Sequence, residues 1–288
     1  MGHDVAIDTE YQTQSSDLLI ALHARRSASS IEKFRHDHPN APLIVVLTGT
    51  DLYRDLPDDP CAVRSIELAD RLVVLNALGA QRLPTTLRNK VRVIIQSVTV
   101  PPLPGTPATS GVGFQVCVIG HLRPVKDPFL TVHALAQLPP TSAIHIVHVG
   151  MALDNDLKIQ AENHVRNEPR YCWRDGVSGQ EVFELLAGSK LHVLTSMMEG
   201  GANVLCEAIA VGVPTLSTRI DGSMGILGHD YPGLFPVGDS NALANLLNKV
   251  ETDPLFYDAL RGHCISLQPM VSASQERGAI GDLLSELQ

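Results

Sequence analysis

Leu191-His192-Val193-Leu194-Thr195-Ser196 runs, through Met197 and Met198, into Glu199-Gly200-Gly201-Ala202-Asn203-Val204-Leu205-Cys206-Glu207. This passage decides the fold class. An apolar run, a Gly-Gly turn and an apolar helical stretch from Val204 to Val211 make a strand–turn–helix unit. A helix opening directly off a strand presents backbone N–H groups and a positive dipole end, which suits an anion. The acids Glu199 and Glu207 flank the turn with seven residues between them, a spacing that predicts two helical turns and roughly one face. Carboxylates accept hydrogen bonds from hydroxyls, so the passage suits a ligand that combines phosphate with hydroxyl groups. A sugar nucleotide has that chemistry.

Working outward, short β-branched runs alternate with helical stretches from end to end. The runs are Val5-Ala6-Ile7, Leu18–Leu22, Leu43–Leu47, Leu72–Leu75 and Val91–Ile95 in the first half. In the second half they are Phe114–Ile119, Ile144–Val149, Arg170–Trp173, Leu191–Leu194, Thr215–Ser217 and Leu234–Val237. Strands this apolar, separated by helices, predict parallel sheets covered on both faces. Pro101, Pro102, Pro104 and Pro107 mark a linker between two doubly wound domains facing across a cleft. The expected domains are residues 1–105 and 106–269, with a C-terminal helix over 270–287 packing back on the first. Because the first half opens near an outer strand, its sheet is expected to lack its first strand and helix.

Composition narrows the function. The 288 residues carry a net charge of −9, which disfavours nucleic acid as a general partner. No apolar stretch reaches the roughly 20 residues of a membrane span, and no leader pattern opens the chain. Five scattered cysteines without a Cys-x-x-Cys pair predict reduced thiols in a cytoplasmic protein. Asp154-Asn155-Asp156 reads as a helix start rather than a metal site. No metal or cofactor is expected, and the motifs of zinc hydrolases, dinucleotide dehydrogenases and serine hydrolases are missing. His145 and His148 read as packed strand imidazoles.

A second anchor is Gly120-His121-Leu122-Arg123-Pro124-Val125-Lys126-Asp127, which follows the strand at Phe114–Ile119. His121, Arg123 and Lys126 place three potential cations in one loop, suited to a diphosphate. In the first half, His23-Ala24-Arg25-Arg26 ends a strand, and two arginines at a helix start call for an anion there. Thr48-Gly49-Thr50 ends the next strand with hydroxyls and exposed backbone, while Asp51 reads as a helix cap and Gln96-Ser97 as a weaker contact of the same kind.

Together these residues resemble the retaining glycosyltransferases with two Rossmann-like domains (the GT-B fold, group 1 family). Glu199 and Glu207 match that family's E-x7-E motif and Lys126 its diphosphate lysine. Ala69-Asp70-Arg71-Leu72 and Gly212-Val213-Pro214 match further family patterns. The resemblance implies Lys126, Arg123, His121 and Glu199 as catalytic residues. It implies donor binding by Gly120, Gly200, Gly201, Ala202, Asn203, Val204 and Glu207, with the base near Asp175 and Val177. His23, Arg25, Arg26, Thr48, Gly49 and Thr50 remain for the acceptor. His121 stands where the family usually has Arg, and Thr48-Gly49-Thr50-Asp51 replaces its common His-Gly-Ser/Thr-Asp. These variants, with Gly228-His229-Asp230-Tyr231-Pro232-Gly233, resemble the selenosugar synthases of selenoneine biosynthesis. That resemblance implies transfer from a UDP-sugar, UDP-N-acetylglucosamine by expectation, to selenophosphate. An ordinary hexosyltransferase with a hydroxyl acceptor, a sugar-nucleotide-binding protein without turnover and an epimerase stay open.

Overall fold

A computed structural model describes residues 2–13, 15–103 and 113–287. Pro104, Pro107 and the expected boundary between residues 105 and 106 lie outside the described residues. The chain divides into two compact units. Unit 1 comprises residues 1–96, 198–201 and 274–288, and unit 2 comprises residues 97–197 and 202–273.

Unit 1 holds β1 (Leu19–Leu22), α1 (Ala28–Asp37), β2 (Leu43–Leu47), α2 (Pro60–Leu68), β3 (Arg71–Val74) and β4 (Val91–Val93). The strands form a parallel sheet in the order β1-β2-β3-β4. One face packs Ala21, Leu43, Val45, Leu72 and Val74 against Ile31 and Phe34 of α1 and Ile66 of α2. The other face packs Ile44 and Val73 against Ile280 and Leu283 of the C-terminal helix, Ala273–Ser285. Glu286 accepts hydrogen bonds from Arg71 at 2.9 Å and from Arg92 at 2.8 Å, tying that helical end to β3 and β4. β1 is an edge strand whose Ile20 and Leu22 are 46% and 61% exposed. Val5-Ala6-Ile7 forms no strand: Val5 and Ile7 are exposed, and three apolar residues with neither a partner strand nor a covering helix bury nothing.

Unit 2 holds β5 (Phe114–Ile119), α3 (Leu130–Leu135), β6 (Ile144–Val149), α4 (Asn155–Asn167), β7 (Tyr171–Arg174) and α5 (Gly179–Gly188). It continues with β8 (Leu191–Leu194), α6 (Asn203–Val211), β9 (Thr215–Thr218), α7 (Asp221–Leu227), β10 (Leu234–Phe235), α8 (Ser240–Thr252) and α9 (Pro254–Ser266). The six strands run parallel in the order β10-β9-β8-β5-β6-β7. β5 and β8 are neighbours, so the strand order reverses between them. Connections leave that pair to opposite faces, which opens a crevice at its carboxyl ends. Capping explains several helix starts. Asp154 accepts the N–H groups of Asp156 and Leu157, and Ser178 forms a capping box with Glu181. Asp154 is thereby a cap, as the sequence reads. Gly212 ends α6 at φ +82°, a conformation that favours glycine.

None of the five cysteines is in a disulfide: Cys117, Cys206 and Cys264 are buried, and Cys61 and Cys172 are exposed. No helix among the described residues is long and apolar enough to cross a membrane.

Candidate functional site

In unit 2 the site builds from the reversal point. β5 ends at Ile119, and its pairing with β6 continues past the strand: Gly120 donates to Val149 and Leu122 to Met151, each at 2.9 Å. Gly150 makes this approach possible. A Cβ there would lie 2.0 Å from the Gly120 carbonyl oxygen, at φ +156°. Gly120 itself is open, because its Cβ would meet only the Lys126 side chain at 4.0 Å.

The following turn, Pro124–Lys126, is tied to the end of β8. Thr195 Oγ1 donates to the Lys126 carbonyl at 2.7 Å, and the Met197 N–H donates to Val125 at 2.8 Å. Lys126 is half-buried and lines a small cavity of about 10 Å³ with Gly120, Pro128, His148, Thr195 and Ser196. Arg123 and His121 are exposed. His121 accepts the Met151 N–H on Nδ1 at 3.1 Å, so this imidazole anchors its own loop as well as bordering the site.

β8 leads toward α6, which starts at Asn203. Ala202 offers no capping oxygen, and helix geometry leaves the first N–H groups of α6, those of Asn203 and Val204, without intrahelical acceptors. Glu207 sits mid-helix and half-buried, where burial raises its carboxyl above the usual carboxylate range. A carboxyl of that kind is suited to hydrogen-bonding a hydroxyl.

Asp175 is exposed on the segment after β7 and accepts the Gly176 N–H at 3.0 Å; Val177 is half-buried nearby. The Trp173 ring packs against Leu122, Phe129 and Ala161, and its indole N–H donates to Gly150 at 2.9 Å.

The Glu-Gly-Gly turn is arranged differently from its sequence reading. Glu199 lies four residues ahead of α6 in non-helical backbone, so Glu199 and Glu207 do not share a helix face. Met198–Gly201 belongs to unit 1. A Cβ on Gly200 would stand 2.3 Å from the Thr48 carbonyl oxygen and 2.6 Å from Gly49 Cα. One on Gly201 would stand 2.6 Å from Leu75 Cβ. The glycines are therefore required by close packing, and Gly200 accepts a 2.7 Å hydrogen bond from buried Asn76, whose amide also donates to the Tyr53 hydroxyl at 2.9 Å. Gln96 stands beside Gly201.

Elsewhere in unit 1, Asp51 is fully buried and organises two strand ends. Its carboxylate accepts the N–H groups of Thr48 at 3.0 Å, Gly49 at 2.9 Å and Ala24 at 2.9 Å. It is a loop organiser and not the helix cap of the sequence reading: the helical turn Asp51–Asp55 starts after Thr50 without a side-chain cap, and Asp51 accepts only from N–H groups that precede it. The signal for this role is Asp three residues after a strand-end Thr. His23 adopts φ +73°, rare outside glycine, and its Nε2 pairs with Thr50 Oγ1 at 2.8 Å. Arg25 already faces a carboxylate: its Nε lies 3.0 Å from Asp55 Oδ2. Arg26 is exposed, and its backbone N–H donates to His23 Nδ1 at 3.3 Å. Thus His23, Thr48, Gly49 and Thr50 converge through Asp51, whereas Arg25 turns to Asp55.

Residues 110–265, more than half of the chain, match the family model described as glycosyl transferases group 1. Over 149 residues the chain is 28% identical to the UDP-Gal:alpha-D-GlcNAc-diphosphoundecaprenol alpha-1,3-galactosyltransferase of Escherichia coli, covering 49% of this chain and 37% of that protein. Over 128 residues it is 31% identical to the N-acetyl-alpha-D-glucosaminyl L-malate synthase of Bacillus anthracis, covering 44% and 33%. The matched stretch thus spans only about a third of these curated relatives. Among solved structures, Anabaena HepE in complex with UDP superposes with a TM-score of 0.80 at 19% identity, covering 94% of this chain and 79% of that one. Sucrose-phosphate synthase from Thermosynechococcus elongatus gives 0.77 at 17%, covering 94% and 73%. At those identities the structural likeness carries the fold, two parallel-sheet units of the GT-B kind. The family match over residues 110–265 shows membership: the chain belongs to the glycosyl transferases group 1 family.

Proposed function

We propose that the chain is a glycosyltransferase that takes its sugar from a UDP-sugar, UDP-N-acetylglucosamine in the first reading, and passes it to selenophosphate with retention at the anomeric carbon. The observation that carries the donor half is the tie between the Lys126 turn and the end of β8, made by Thr195 and Met197. It sets a cationic loop beside the strand that leads to the N-terminus of α6. UDP and sugar nucleotides appear in the names of a relative and a structural neighbour.

In this reading Lys126 and Arg123, with His121 at the loop's edge, stabilise charge growing on the departing diphosphate. The amides of Ala202, Asn203 and Val204 face the distal phosphate, Glu207 accepts from the ribose, and Asp175 and Val177 border the base. Glu199 orients the sugar hydroxyls. His23, Arg26 and the Thr48–Thr50 turn hold the acceptor. An acceptor that is already anionic needs no general base. The setting would be cytoplasmic.

A hydroxyl acceptor is the second reading, and one observation favours it. Arg25 is paired with Asp55, and Asp51 lies buried beside the Thr48 turn, so two carboxylates sit where an anionic acceptor would be held.

One experiment tests both halves. UDP release from UDP-N-acetylglucosamine is measured with selenophosphate, with hydroxyl acceptors and with neither. Lys126→Ala should lower release by about 10²–10³-fold while the protein stays folded. Full activity in that variant refutes the donor assignment. Release driven only by hydroxyl acceptors selects the second reading.

A further inference from the structure

The Gly120–Lys126 loop has a buried hydrogen-bond donor at each end. At its start, His148, 1% exposed in β6, donates from Nε2 to the Gly120 carbonyl at 3.0 Å. The opposite ring nitrogen accepts from the Tyr171 hydroxyl at 2.9 Å, which fixes the neutral tautomer. At its end, Thr195, 3% exposed, donates from Oγ1 to the Lys126 carbonyl at 2.7 Å. Both side chains line the same cavity of about 10 Å³, room for one water at most.

Neither residue is what packing alone would select. Val147 and Val149 flank His148 on β6, and Thr195 directly follows the apolar end of β8 at Leu194. Valine has the shape of threonine, and leucine would fill much of the imidazole's space. A buried polar group costs stability unless its hydrogen bond is made, so each bond stabilises one loop geometry over the alternatives. The loop is also tied by backbone bonds from Met197 to Val125 and from Leu122 to Met151, and by the Met151 N–H donating to His121 Nδ1.

We propose that His148 and Thr195 are positioning residues that clamp the two ends of the Gly120–Lys126 loop, so that its cations meet a diphosphate without further ordering. The clamp rests on the donor reading above. A loop ordered in advance does not lose that freedom on binding, and its contribution appears as affinity.

The test pairs UDP calorimetry with amide hydrogen exchange at Lys126 and Asp127, whose N–H groups donate to Arg123 and Pro124 within the turn. Thr195→Val should weaken UDP binding about tenfold and speed exchange at both amides by a similar factor, with the fold retained. Thr195→Ser, which keeps the hydroxyl, should restore both within about twofold. His148→Gln, which retains a donor, should fall between wild type and His148→Leu.

Thr195→Val with wild-type affinity and wild-type exchange overturns the clamp. So does Thr195→Ser behaving as badly as Thr195→Val, since packing would then be the cause. If the wild-type protein binds no UDP, the donor reading fails, and exchange alone decides the clamp: unchanged rates in Thr195→Val overturn it, faster rates support it.

Discussion

The strand ends of the two units are held by opposite means. In unit 2 the loop after β5 is fixed by neutral donors, His148 and Thr195, and Arg123 is exposed to solvent. In unit 1 the turn after β2 is fixed by a carboxylate, Asp51, and Arg25 is matched with Asp55. Uncompensated positive charge binds phosphate, and positive charge already opposed by a carboxylate binds it less. In the proposed reading, unit 2 would take the dianionic donor, and unit 1 a ligand held mainly by hydrogen bonds.

The largest effect should come from the carboxylate. Asp51→Ala leaves three backbone N–H groups without their acceptor and should destabilise unit 1 by roughly 3–5 kcal/mol. Asp51→Asn keeps one acceptor oxygen but turns a donor toward another N–H, and should cost about 1–2 kcal/mol. Urea unfolding followed by hydrogen exchange in β1 and β2 measures both. Equal stability in the Ala variant would break the view that unit 1 is built on this charge.

Acid should then separate the units. Burial pushes His148 down to about 4 and His192 to about 3, whereas an unfolded histidine titrates near 6.5. A group whose folded pKa is depressed supplies stability above the unfolded pKa and loses it as pH falls toward the folded value. Unit 2 should lose on the order of 3 kcal/mol through His148 alone between pH 6.5 and about 4. In unit 1 the hydrogen bonds from Arg92 and Arg71 hold Glu286 down to about 2, so its tether is lost only below the ordinary glutamate value of about 4.5. Trp173, the single tryptophan, lies in unit 2. Its fluorescence should report acid unfolding at a higher pH than exchange in β2 and β3, and coincident transitions would remove the distinction.

How much of this was legible differs along the same line. The strands among the described residues follow apolar runs, and their alternation with helices fixes a parallel α/β fold. The positions of Lys126 and Arg123 in the loop after β5 and of Glu207 in α6 were legible, because the strand and helix that carry them are marked by apolar runs. Glu199 was misplaced on a helix face because seven-residue spacing says nothing about where the helix begins, and Ala202 carries no capping signal. The role of Gly200 and Gly201 was hidden because the groups they pack against, Thr48 and Leu75, lie more than a hundred residues away. His148 and Thr195 were hidden for a similar reason: a buried polar residue on an apolar strand is informative only once its partner is known.

A pair of glycines sharpens the comparison further. Gly200→Ala forces a Cβ against backbone at 2.3 Å and should destabilise unit 1 by about 2 kcal/mol, read as a shift in the urea midpoint. Gly120→Ala meets nothing closer than the Lys126 side chain at 4.0 Å and has no positive φ to relieve, so its stability should be unchanged. The open space over Gly120 is where the donor reading places a ligand. The added methyl should therefore weaken UDP binding about tenfold at constant stability, the order expected for a small steric misplacement. The two variants together form a cross: Gly200→Ala should lose stability through packing, and Gly120→Ala should lose affinity at constant stability. Wild-type UDP affinity in Gly120→Ala would mean that the ligand does not approach the backbone there, and the space over Gly120 would have to serve something other than the donor.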